Sequence, residues 1–177
     1  MNRIGIFVLL ILASLLIGCS NAGNTGNNAV AANIPAITVN WKKDVTPDDI
    51  ARIKWLEGTW RGTAEGQEPF YERYHFDGTT LSEESFADAD LKTVKDTAKY
   101  VLINGEFRHT QNAKRVAASE ITDDHIQFVP VVGGGNSYRF EKQPGGKWRA
   151  IIDWPATDGQ PAKQVIYNME PYDPKKK

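Results

Sequence analysis

A chain of 177 residues, with 21 Lys and Arg set against 22 Asp and Glu, is long enough for one domain with a sizeable core. Its one cationic run is Lys175-Lys176-Lys177 at the extreme end; with no basic stripe to neutralise phosphates, nucleic-acid binding is not expected. A single cysteine excludes disulfides, zinc–thiolate centres and iron–sulfur clusters.

The chain opens Met1-Asn2-Arg3 and continues from Ile4 to Ile17 without a charge. One positive charge before a short apolar run fits an export signal, because a spanning helix needs roughly 20 apolar residues. The run closes on Leu16-Ile17-Gly18-Cys19. This ending resembles the lipobox of bacterial lipoproteins, in which a small residue precedes an obligatory cysteine. The resemblance implies a signal peptide at 1–18 and a diacylglycerol on the Cys19 sulfur that holds the protein to a membrane. Loss of residues 1–18 removes Arg3 alone and leaves 20 basic against 22 acidic residues. A lipid-anchored protein of the cell envelope is expected. Ser20 after the cysteine, where an Asp would otherwise signal retention, resembles outer-membrane sorting toward the periplasm in a Gram-negative host.

Residues 20–38 are rich in Asn, Gly and Ala, a composition that cannot bury apolar surface and reads as a flexible tether. The lipidated cysteine and tether together are assigned to 19–45. Order is expected to begin at Thr46-Pro47-Asp48-Asp49. Thr suits the N-cap, Pro the first helical position, and Asp three residues after the cap completes a capping box. Acidic residues in that turn also suit the helix dipole. Ile50, Ile53 and Leu56 supply an apolar face and Gly58 a stop, which predicts a helix of about ten residues.

Beyond Gly58 the pattern is of strands separated by turn residues. The segments are 59–65, 69–76, 79–86, 97–103, 106–111, 115–121, 125–131, 136–142, 147–153 and 163–170. Asp77-Gly78 and Asn104-Gly105 are hairpin signals, and 122–124, 133–135 and 144–146 mark further turns. The connection 91–96 has no clear assignment. Strands joined in sequence by tight turns, with no helix between them, predict an all-β antiparallel up-and-down barrel of about 8–10 strands, closed on itself to remove its edges. The barrel domain is placed at 46–171, and 172–177 is a basic tail.

The short helix running into Trp55-Leu56-Glu57-Gly58-Thr59-Trp60-Arg61-Gly62 resembles the start of the first strand in the calycin superfamily. That superfamily holds the lipocalins, the fatty-acid-binding proteins and the haem-binding nitrobindins. Gly58 and Trp60 form its Gly-x-Trp element, which implies that Trp60 plugs one end of the barrel. Tyr71-Glu72-Arg73-Tyr74, Tyr138-Arg139-Phe140-Glu141 and Gln164-Val165-Ile166-Tyr167 extend the similarity, toward a bacterial calycin-like domain of unknown function, over roughly 55–171. Nitrobindin-like proteins ligate haem through a histidine late in the chain. None follows His125 here, so no cofactor is expected.

If Asp77-Gly78 is a two-residue turn, Phe76 faces Thr79, Tyr74 faces Leu81 and Glu72 faces Glu83. Phe70, Tyr74 and Phe76 then line the interior and Glu72 shares their side, unless the pairing slips by one and leaves it in solvent. An interior carboxylate needs a partner, for which Arg139 and Arg149 are the candidates. With them, Phe70, Glu72, Tyr74, Leu81, Phe128, Tyr138, Phe140, Trp148, Ile152 and Tyr167 form the expected lining. His75, His109 and His125 fall in separate strands and read as exposed or locally bonded. No metal spacing, nucleophile motif or phosphate loop stands out, so no catalytic residue is assigned and an enzyme is not expected. Two readings remain. In the first, the barrel is hollow and binds an apolar or amphipathic small molecule. In the second, the barrel is filled and meets an envelope protein partner through 87–96 or 155–162.

Overall fold

The computed structural model of the chain describes residues 40–110, 116–131, 135–157 and 159–176, all within the unit Val39–Lys177. The expected signal, Cys19 and the segment 20–38 lie outside the described residues. Ten antiparallel strands run in chain order around a closed barrel. They are β1 (Gly58–Thr63), β2 (Phe70–Asp77), β3 (Thr80–Phe86), β4 (Val94–Ile103), β5 (Glu106–His109), β6 (Val116–Ile121), β7 (His125–Pro130), β8 (Ser137–Gln143), β9 (Lys147–Trp154) and β10 (Lys163–Pro171). Pairing of β1 with β10, from Trp60 opposite Pro171 to Thr63 opposite Asn168, closes the sheet and removes both edges. Residues 94–96 of the unassigned connection belong to β4, opposite the bulge between Ser85 and Phe86.

The helix is shorter than expected. Helix α1 (Pro47–Arg52) ends at Ile53, whose φ of −101° and ψ of 11° leave the helical region. A single 3₁₀ turn, Lys54–Leu56, carries the chain onward. The capping box is present, with the Asp49 amide donating to Thr46 Oγ1 and the Thr46 amide to Asp49 Oδ2. Ile50, Ile53 and Leu56 are fully buried, so this segment seals the end of the barrel where β1 begins. The tightened last turn presents the Leu56 carbonyl to Trp60, whose Nε1–H donates to it at 2.9 Å. Gly58, with φ of 140°, then takes the chain from helix to strand in a conformation closed to other residues.

Two boundaries differ from expectation. Order begins before Thr46: the Lys42 amide donates to Ala118 O, and the Val45 amide to Gly105 O, each at 2.8 Å. Residues 42–45 thereby dock on the Asn104-Gly105 turn, so closely that a Cβ on Gly105 would meet Lys43 O at 2.2 Å. At the other end Tyr172 is packed rather than part of a loose tail. Its amide donates to Thr59 O, its hydroxyl donates to Ala89 O at 2.9 Å, and its ring meets Tyr71 at 4.7 Å.

Candidate functional site

Alternation along each strand decides what enters the barrel. On β2, Glu72, Tyr74 and Phe76 are buried while Arg73, His75 and Asp77 are exposed. The expected hairpin register is corrected by two residues. Asp77 opposes Thr80, Phe76 opposes Leu81, Tyr74 opposes Glu83 and Glu72 opposes Ser85. The turn is Gly78-Thr79 rather than Asp77-Gly78, with Gly78 at φ of 60° in the first central position, where a type II′ turn demands it. A slip of two keeps every side chain on its face, so Glu72 stays inside although its neighbour changes.

The interior divides into two parts. Near the helix, Trp148 meets Trp60 at 5.7 Å, Tyr74 at 5.6 Å and Phe140 at 5.0 Å, and Tyr74 meets Phe140 at 6.3 Å. Because β2 and β8 lie far apart around the barrel, that last contact bridges the lumen. Phe128 stacks on Tyr138 at 4.9 Å and packs against Tyr100 at 5.1 Å. Tilted and edge-on pairs of this kind add about 0.5–1.5 kcal/mol each beyond area burial. Leu81 and Ile152 complete the apolar lining, both buried. Trp148 covers Trp60 edge-on.

Beside this aromatic block lies a cluster of acids and phenols. Glu72 is 7% exposed and Glu83 6%. The Tyr74 hydroxyl donates to Glu72 Oε2 at 2.9 Å, and the Tyr100 hydroxyl to Glu83 Oε2 at 3.4 Å. Burial pushes the Glu72 carboxyl up to about 7, against the pull of the Tyr74 and Ser85 hydroxyls. Glu83 is driven well above the carboxylate range by burial and then by the neighbouring charge of Glu72. Neither acid has a cation for a partner among the described residues. Tyr138, 4% exposed, feels the charge of Glu83, and its buried hydroxyl lies beside that of Tyr100 without completing a well-formed hydrogen bond.

His109 belongs to this group, where the expectation was of an exposed or locally bonded ring. It stacks on Tyr100 at 4.7 Å, and its Nε2 is buried without a partner. Burial holds its pKa down at about 4, against the opposing charge of Asp96. At the far rim from the helix, the Phe70 ring lies flat over Gly62, where a Cβ would come within 2.1 Å, and meets Tyr167 edge-on at 5.3 Å.

Arg139 and Arg149 are not in the lining. Tyr138 and Phe140 point inward on β8, as Trp148, Ala150 and Ile152 do on β9, so the intervening arginines point outward. Both clamp Glu141, at 3.1 Å from Arg139 and 2.8 Å from Arg149. Partial burial alone would raise the Glu141 carboxyl, but the two guanidinium groups hold it below its usual range. Of the suspected surface segments, 87–93 is tied down by Tyr172 and by the Ala87 amide donating to Thr93 O. Thr157 and Gln160 exchange a pair of backbone bonds within 155–162. Glu83, Tyr100 and His109 were absent from the expected lining, although period two places Glu83 beside Leu81 and His109 beside Phe107.

Fold and interior together define a closed ten-stranded up-and-down barrel with a buried acid–tyrosine cluster, an architecture that fits the calycin-like resemblance. No family model matches the chain, and no curated protein matches it. Among solved structures it is similar to the crystal structure of Rv2717c from M. tuberculosis, at 16% identity and a TM-score of 0.38, over 73% of this chain and 99% of that chain.

Proposed function

We propose that this protein is a lipid-anchored, non-catalytic binding module of the cell envelope whose barrel takes an amphipathic small molecule at the end away from the helix. One observation carries the reading. In an otherwise apolar interior, two carboxylates, a phenol without a well-formed hydrogen bond and an unpartnered imidazole nitrogen are buried together. Orphan polar groups cost about 1–3 kcal/mol each, a cost that a bound polar group would relieve. The aromatic block fills the helix end, so we place the apolar part of a ligand toward Phe70 and Tyr167, which meet edge-on at the other rim. The acids are bonded to phenols and not to a base–nucleophile pair, which favours holding a molecule over transforming one.

Native mass spectrometry of residues 20–177, exported through an exchanged, cleavable signal, tests the reading. A discrete added mass removed by organic extraction is expected. A bare polypeptide mass that no lipid or amphiphile changes would overturn it. The anchor has its own test: palmitate fed to the host should label the wild-type chain and not Cys19→Ala, and an unlabelled wild type would refute lipidation.

A further inference from the structure

Among the described residues, the two buried acids meet no positive charge. Glu72 is faced by Tyr74 on its own strand, by Ser85 and Glu83 of β3, and by Tyr167 of β10, whose phenol feels its charge. Glu83 is faced by Tyr100 and Asp96 of β4. Tyr138 of β8 feels the charge of Glu83, and His109 of β5 stands neutral beside Tyr100. The Tyr74 and Tyr100 hydroxyls already spend their protons on the acids. What remains open is acceptor capacity on both carboxylates and on the Tyr138 oxygen, which is buried with the Tyr100 hydroxyl beside it and completes no well-formed hydrogen bond.

A primary ammonium group carries three donors and no acceptor, which matches three open acceptors. A carboxylate head would bring further negative charge beside two acids whose ionisation burial already resists. An alcohol offers a single proton and no charge.

We propose that the ligand is an organic primary ammonium on an apolar body, its head held by Glu72, Glu83 and the Tyr138 hydroxyl and its tail directed past Phe70 and Tyr167. This rests on the ligand-binding reading above and names the class of molecule. The ammonium takes the place of the proton that the acid pair holds, so each cation bound releases about one proton to solvent over the range in which the pair is protonated.

Calorimetric titration of the exported 20–177 chain with octylamine, octanol and octanoate, from pH 5 to pH 8, tests the proposal. Octylamine should bind at least tenfold more tightly than either analogue at pH 7, and its affinity should rise about tenfold per pH unit while a proton is released. Wild-type titrations in two buffers of different ionisation enthalpy read that proton directly. Glu72→Gln and Glu83→Gln, judged folded by near-ultraviolet circular dichroism, should each flatten the rise with pH. Octanoate or octanol binding as tightly as octylamine would overturn the ammonium assignment and leave the ligand reading standing. So would octylamine binding that ignores both pH and the acids. Failure of all three to bind would overturn both.

Discussion

The two ends of the barrel are built differently. At the helix end the strands are joined by Gly78-Thr79, Asn104-Gly105, 122–124 and 144–146, and α1 with its 3₁₀ turn closes the mouth. At the other end the connections are 64–69, 87–93, 110–115, 131–136 and 155–162. Short turns and aromatic packing give the first end a single arrangement. The second has longer connections around an interior holding acids, phenols and an imidazole. A rigid scaffold with its chemistry displaced to one end is the usual division of labour between packed elements and the loops they carry.

That contrast predicts unequal costs. Trp148→Ala, which empties the space among Trp55, Trp60, Tyr74 and Phe140, should cost about 3–5 kcal/mol in urea unfolding. A loss below 1 kcal/mol would mean that the aromatic block is not the foundation of the fold.

The acid cluster should show the opposite sign. A carboxyl raised in the folded state keeps its proton after the unfolded chain has lost its own, so its contribution to stability falls as pH rises from 4.5 to about 7. Glu72→Gln removes that penalty. It should stabilise the protein at pH 8 by on the order of 3 kcal/mol and change little at pH 4, measured by denaturant midpoints at both pH values. His109 slopes the other way. Its folded pKa of about 4 lies below the unfolded 6.5, so stability is lost as pH falls between those values. A wild-type profile that kept rising above pH 7 would contradict the buried-acid assignment.

Smaller effects belong to the periphery. Thr46→Ala breaks the capping box of α1 and should cost about 1 kcal/mol, since the helix is held mainly by its buried apolar face. Arg139→Ala on the outer wall, where the side chain is 40% exposed and Arg149 still covers Glu141, should cost less than about 1 kcal/mol. If Arg139→Ala instead weakened binding of an amphiphile, the wall and the interior would not be separate as described.

Much of this was legible in the residues. Turn signals divided the chain into ten strands, period two placed Phe70, Glu72, Tyr74 and Phe76 on one inner face, and aromatic character put Tyr138, Phe140 and Trp148 in the lining. The same parity, applied to Arg139 between Tyr138 and Phe140, already pointed it outward; its assignment to Glu72 answered the need for a counter-charge rather than the alternation. Thr46, Pro47 and Asp49 announced the helix start because capping is local chemistry. Tertiary structure alone decided the rest. Both Asp77-Gly78 and Gly78-Thr79 are acceptable turns, and the choice depended on how the whole hairpin seats in the barrel. Tyr74 reaches Phe140, and Tyr138 reaches Tyr100 and Glu83, only because closure brings β2, β4 and β8 around one lumen. No local pattern encodes which strands face one another across a barrel, and that meeting leaves the acids and the Tyr138 hydroxyl buried together.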